Sequence, residues 1–439
     1  MRKPALLINA ALMGAIALSG CGGGSIAPPA TNSSTGALSE MRDRGTSPSD
    51  SSSQQADHCS TSVHSSSPEA ALERENISGT AKIDCRNSGH VYAQTNAASG
   101  NAIVNYGRND EGQLTYIDTV STGGNGVGTA SVLNAQTSAD PLSSQRSIIL
   151  NADHTKLFAV NAGSGTVSVF TIPHSGDPHL VGTYATGGVK PTSLTVNGSI
   201  LYVGHAVANS SNNQLFGFTI NSDGSLTAIP SAAYAPSAAT PIAALSFSPN
   251  GLWLAATEPT TGKIDIYPVN SDGTLGTPVV NSSSGAGPFG VLFTDNTHIV
   301  VAEAAAAALS SYTLSGVGSL SVVSSSVTDQ QVATCWISIT PNGRLVFASN
   351  PGSSDVSSYA LGSEAKLNLL RAVEAENHIA TPSTGPIDSA ITDDGKFFYQ
   401  QYSVIGVIGA YEIHHDGRLL SVNGDGTKLP AGTQGIAAF

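Results

Sequence analysis

Beyond Tyr92 a single pattern recurs along the chain. It runs as an apolar strand, an Asn/Asp-Gly-type turn, a second apolar strand, a polar residue, a Gly/Ser-rich turn, an alternating strand, an Asp-Gly-type turn and a fourth strand. The copy from Ser147 reads SIILNADHTKLFAVNAGSGTVSVFTI. Others start at Leu245 (LSFSPNGLWLAATEPTTGKIDIYPV), Ile337 (ISITPNGRLVFASNPGSSDVSSYAL) and Ser389 (SAITDDGKFFYQQYSVIGVIGAYEI). Alternating Val, Ile, Phe and Tyr suits half-buried strands, and the Asn-Gly and Asp-Gly pairs supply the positive φ that tight hairpins need. Aligned on the residue that ends the second strand, the copies fall at Asn96, Asn161, His205, Glu258, Glu303, Asn350 and Tyr402, with steps of 65, 44, 53, 45, 47 and 52 residues. Seven four-stranded antiparallel units at this spacing predict an all-β fold, a seven-bladed β-propeller. Long helical patterns are absent, which argues against a parallel α/β arrangement. The long first step holds a Gly-rich insertion, Ser121 to Gln145.

The closure of the ring can also be read. The chain ends GTQGIAAF, Gly432 to Phe439, which resembles the inner strands TPIAALSF (Thr240 to Phe247) and GPFGVLF (Gly287 to Phe293). It comes too late to start an eighth blade, while the copy at Tyr92 lacks an inner strand before it. Gly435 to Phe439 is therefore expected to supply the inner strand of the first blade, so that the two ends pair and no sheet edge is left exposed.

Ahead of the repeat the chain changes character. All 25 aromatic residues lie at or beyond Tyr92. Arg2 and Lys3 precede an apolar run, Ala5 to Ala17, too short for a comfortable membrane span but suited to a signal-peptide core. Leu18-Ser19-Gly20-Cys21 closes it and resembles a bacterial lipoprotein lipobox, which implies cleavage before Cys21 and acylation of that residue. Residues 1–20 thus read as a lipoprotein signal peptide. Residues 21–87, rich in Ser, Thr, Gly and Pro, read as a disordered tether that lacks the apolar surface to offset its ordering entropy, with a short helix possible near Pro68 to Glu75. Residues 88–439 read as the propeller. The expected location is the cell envelope, lipid-anchored through Cys21, at the outer membrane in a Gram-negative host. A disulfide between Cys59 and Cys85 is allowed there but not required. Cys335, between apolar strand residues, reads as a buried free thiol.

Composition narrows the partners. With 18 basic and 31 acidic residues the formal charge is −13, so a phosphate-neutralising nucleic-acid binder is excluded. No zinc spacing, nucleophile elbow or cofactor fingerprint occurs, so neither a metal nor a cofactor is expected. Gly123 to Gly128 (GGNGVG) lacks a following helix and reads as a flexible loop. His414 and His415 are adjacent on a hairpin and point to opposite faces, which suits no shared metal. The turns Asn221 to Gly224 and Asn270 to Gly273 fall short of a calcium loop. A small polar ligand or a protein partner remains, with the protein expected as a monomer.

The repeats, notably TEPTTGKIDIYPVNSDGTLG (Thr257 to Gly276), resemble the seven-bladed propeller lactonase family, which includes 6-phosphogluconolactonases and carboxymuconate lactonising enzymes. That resemblance implies a His, a Glu and two Arg converging on the central channel, to move a proton and hold an anionic substrate. The Glu falls on Glu258, the candidate catalytic residue. The His position holds Arg146, and the two Arg positions hold Ile242 and Ser338. A different set is expected at the same mouth: Glu258, Glu303, His205 and Tyr402 at the loops after second strands, with Arg146, Lys190 and Trp336 at the loops between blades. The same residues could instead cap turns or satisfy channel waters. Two functions are carried forward: a channel that binds a small polar ligand or partner without family-type catalysis, or a lactone hydrolase or lactonising isomerase using Glu258.

Overall fold

The computed structural model describes residues 88–238, 240–376, 384–424, 426–430 and 432–439. The signal peptide, Cys21, the tether, its helix, Cys59 and Cys85 lie outside the described residues.

Seven antiparallel sheets form the ring. Blade 1 joins β1 (Gly89–Gln94), β2 (Ala102–Arg108) and β3 (Leu114–Ser121) to β29 (Ile436–Ala438), the last strand of the chain, which pairs with β1 through Tyr92 opposite Ala437. The expected closure is therefore present. Blade 2 comprises β4 (Ile148–Leu150), β5 (Lys156–Asn161), β6 (Thr166–Thr171) and β7 (His179–Ala185). Blade 3 comprises β8 (Val189–Asn197), β9 (Ile200–Val207), β10 (Leu215–Ile220) and β11 (Leu226–Tyr234). Blade 4 comprises β12 (Ala244–Phe247), β13 (Trp253–Glu258), β14 (Lys263–Pro268) and β15 (Val279–Ser282). Blade 5 comprises β16 (Pro288–Phe293), β17 (His298–Glu303), β18 (Ala308–Leu314) and β19 (Leu320–Thr328). Blade 6 comprises β20 (Trp336–Ile339), β21 (Leu345–Asn350), β22 (Asp355–Leu361) and β23 (Leu367–Glu376). Blade 7 comprises β24 (Pro386–Ile391), β25 (Phe397–Tyr402), β26 (Val407–Ile413) and β27 (Leu419–Ser421), with the short β28 (Thr427–Lys428) also on β26.

Local chemistry explains the hairpins. In the 3–4 turns Asp223 and Asp272 accept from the backbone N–H and hydroxyl of Ser225 and Thr274, and Gly224 and Gly273 take φ of 85° and 82°. Second strands are wholly or almost wholly buried, whereas fourth strands alternate with solvent, which is why the apolar signal fades outward along each blade. The inner strands β29, β4, β8, β12, β16, β20 and β24 neighbour one another in that order around a central channel. Linkers from the preceding blade arrive at one end of this channel, the linker end. The turns joining first and second strands surround the other, the turn end.

Two expectations are corrected. Cys335 is buried as expected but is disulfide-bonded rather than a free thiol. The Gly-rich loop at 123–128 is docked rather than flexible: Gly126 N and Gly128 N donate to Ala97 O and Asn96 O (2.8 and 2.6 Å), and Gly163 N donates to Asn125 O (2.9 Å). A Cβ on Gly126 would lie 2.1 Å from Asn96 O, so glycine there permits the close backbone approach.

Candidate functional site

The residues that end the second strands share one role. Each is buried; five of the seven hold the stretch of chain arriving from the preceding blade or the ordered loop beside it, and Asn350 does so through Ser357. Glu258 accepts from Ser237 Oγ on both oxygens (2.9 Å each), from Ala238 N (3.3 Å) and from Thr261 Oγ1 (2.5 Å). Glu303 accepts from Ser283 Oγ (2.9 Å), Gly285 N (2.6 Å) and Ser326 Oγ (2.6 Å). His205 lies between Gln214 O and Thr186 Oγ1, both at 2.9 Å, and burial pushes its imidazole down to about 4, so it stays neutral at pH 7. Asn161 accepts from Thr122 Oγ1 (2.7 Å), Asn350 donates to Ser357 Oγ (2.8 Å), which in turn donates to Asp329 of the incoming linker, and Asn96 accepts from Val127 N (3.1 Å). Tyr402 differs: its hydroxyl bonds that of Tyr411 at 2.8 Å. The period that makes these positions visible in the sequence thus marks the joints between blades.

Behind Glu258 lies a second carboxyl, Asp265, fully buried, whose Oδ2 accepts from Ser237 N (2.8 Å) while Oδ1 has no partner among the described residues. Burial and then the charge of Glu258 push Asp265 up to about 7.

The linker end of the channel, where the candidates were expected to form a mouth, is filled by the chain itself. The tail of the insertion, Asp140 to Gln145, crosses it almost completely buried. Ser144 Oγ donates to Thr192 O of blade 3, and Gln145 N to Ala243 O ahead of blade 4 (2.8 and 2.9 Å). On the opposite side Trp336 Nε1 donates to Ser144 O (2.8 Å), and the Gln145 amide pairs with Ile337, Nε2 donating to its carbonyl (2.7 Å) and Oε1 accepting from its N–H (3.3 Å). Gln434 completes the ring: Nε2 donates to Asp140 Oδ1 (2.7 Å) and Ser144 O (3.1 Å), and Oε1 accepts from Leu142 N (2.8 Å). Gly290 leaves the space, since a Cβ there would sit 2.2 Å from Gln145 Oε1. Lys190 also serves the insertion, Nζ donating to Val132 O. Trp336 therefore holds this plug and Lys190 the part of the insertion leading into it, and Trp336 packs edge-on to Phe289.

Below the plug the channel opens as a cavity of about 470 Å³ reaching the turn end. Arg146, directly after the plug with φ of 66°, lines its floor; of the seven candidate residues it alone lines this cavity. Ser338 lines it too. Beside Arg146 stands Asp388 of β24, 4% exposed, which sequence reasoning missed. Asp388 Oδ1 accepts from Arg146 N (3.2 Å), whereas Oδ2 has no partner among the described residues. Among the described residues no group accepts from the Arg146 guanidinium. Burial pulls that guanidinium down to about 10 and pushes Asp388 up to about 7, each partly offset by the other's charge. The signal for Asp388 was present in the sequence: it is the one acidic residue in the seven inner strands. At the turn end His154, stacked on Phe439 (centroids 5.0 Å apart), lies 3.2 Å from Asp393. No group of three or more His, Cys, Asp or Glu converges to hold a metal among the described residues.

The model of the seven-bladed β-propeller lactonases matches residues 155–423. The chain belongs to that family. No curated protein matches it. Among solved structures, a protein from Bacteroides uniformis described as a 6-phosphogluconolactonase superposes with a TM-score of 0.62 at 16% identity, over 80% of this chain and 99% of that one. A like-named Bacteroides fragilis protein gives 0.59 at 18% identity over 80% and 98%. The periplasmic gluconolactonase of Pseudomonas aeruginosa gives 0.59 at 15% identity over 79% and 98%. At these identities the likeness establishes the shared propeller, and chemistry has to be argued from the site.

Proposed function

We propose that this lactonase-family propeller binds a small polar, anionic ligand in the channel cavity, reached from the turn end and held by Arg146. The observation that carries this reading is Arg146 on the cavity floor, its guanidinium without an acceptor among the described residues. Guanidinium groups in protein interiors are ordinarily paired, and a carboxylate matches their planar fork. The same reading places the protein outside the cytoplasm, with residues 1–20 as signal and Cys21 as lipid anchor; Cys21→Ser would then release it from the membrane fraction.

The competing reading is a lactone hydrolase or lactonising isomerase using Glu258. Glu258 is not among the residues lining the cavity, and both its oxygens already accept hydrogen bonds from the linker and turn they hold. The family positions nearest the chemistry carry Arg146, Ile242 and Ser338 instead of His and two Arg. The test is a panel of lactones and their hydrolysed acids given to the full-length protein, with Arg146→Ala and Glu258→Gln alongside. Acid binding abolished by Arg146→Ala and kept in Glu258→Gln is expected. Lactone turnover lost in Glu258→Gln would establish the hydrolase instead.

A further inference from the structure

We propose that the Arg146–Asp388 site binds a small monocarboxylate together with one proton, the guanidinium holding one carboxylate oxygen and a protonated Asp388 donating from Oδ2 to the other. This rests on the channel being a binding site and adds what the ligand must bring with it.

Three observations lead there. Asp388 is buried deep in the cavity wall, with Oδ1 committed to the Arg146 N–H and Oδ2 unpartnered. An ionised oxygen in that position lacks compensation, whereas a protonated one becomes a donor in need of an acceptor. Secondly, Arg146 and Asp388 line one cavity, and among the described residues no ion pair joins them. A carboxylate ligand bridging them satisfies a donor on each side. Thirdly, a ligand carboxylate beside an ionised Asp388 would place two negative charges in a poorly solvated cavity. Sharing one proton between them removes that repulsion, as in paired carboxyls generally.

The remaining charges nearby do not supply an alternative counter-charge. Asp140, on the plug behind the site, is itself buried and pushed well above the usual carboxylate range, so it offers a ligand no positive charge. His154 faces Asp393 at the rim, and Lys190 is spent on Val132 O. The parts of β4, β8, β16, β20 and β29 that line the cavity contribute apolar residues and Ser338. Burial already raises Asp388 to about 7, so the free site exchanges its proton near neutrality.

The experiment is isothermal titration calorimetry of acetate and glycolate into the full-length protein from pH 5.5 to 9, in two buffers of differing ionisation heat. Below about pH 7 the affinity should be flat; above it, affinity should fall about tenfold per pH unit, with close to one proton taken up per ligand. Asp388→Asn, which keeps the shape and a donor, should bind with no pH slope and no proton uptake. Arg146→Gln should not bind at any pH. Wild-type affinity that is level through pH 9, or a slope retained in Asp388→Asn, overturns the proton-linked site while leaving simple anion binding in place. Absence of carboxylate binding at every pH overturns both. Proton uptake in the unmodified protein tests the claim even if a variant misfolds.

Discussion

The two ends of the channel are built from the same seven inner strands and behave oppositely. At the linker end a segment outside the repeat, Asp140 to Gln145, is bonded to both sides of the ring and fills it. At the turn end short hairpins leave a cavity with Arg146 on its floor, its guanidinium unpaired among the described residues. The repeat supplies the frame, while irregular chain decides which end of the frame can meet a ligand. It also moves the candidate site: the residues expected at one mouth divide into joints, plug holders and a single cavity residue, Arg146.

Perturbations should separate the two ends, beginning with the ring they share. Deleting residues 433–439 removes β29 and Gln434 together, and should abolish the cooperative thermal transition; a truncated protein melting in one sharp step would break the account of closure. At the plugged end, Gln434→Ala removes one buried hydrogen bond each from Asp140, Leu142 and Ser144 and leaves the Leu142 N–H without its acceptor. A loss of roughly 2–4 kcal/mol is expected in denaturant unfolding, and a loss under 1 kcal/mol would mean the plug is not held as described. The joints carry a pH signature. Asp265, raised to about 7 when folded, keeps a proton that the unfolded chain releases near pH 4. Its contribution to stability is therefore full below pH 4 and is lost as pH climbs to about 7. Asp265→Asn should flatten this decline, by on the order of 2 kcal/mol between pH 5 and pH 8; an unchanged stability–pH curve would refute the assignment. At the open end, His154→Ala removes a partly exposed pair with Asp393 and should cost about 1 kcal/mol or less. A larger loss would make that rim structural rather than open.

The same contrast marks what could be read in the sequence. Strand period and turn residues are local, so the blades, their number and the closing strand were legible from Tyr92 to Phe439. Positions such as Glu258, Glu303 and His205 were visible as ends of second strands. Their partners, Ser237, Ser283 and Thr186, belong to linkers whose path no period describes, so joint and mouth could not be told apart. Gly123 to Gly128 read as a flexible loop because the order of the insertion around it comes from non-local partners: Gln434 lies 290 residues from Ser144. Asp388 was legible in principle, as the lone acid of the inner strands, once those strands were aligned on the channel.

The most direct test is a crystal structure of the protein grown with acetate or glycolate near pH 6. The carboxylate is expected between the Arg146 guanidinium and Asp388 Oδ2, with Asp140 to Gln145 undisturbed at the other end. A ligand seated instead at the linker end, against Trp336 and Lys190 with that segment displaced, would contradict it.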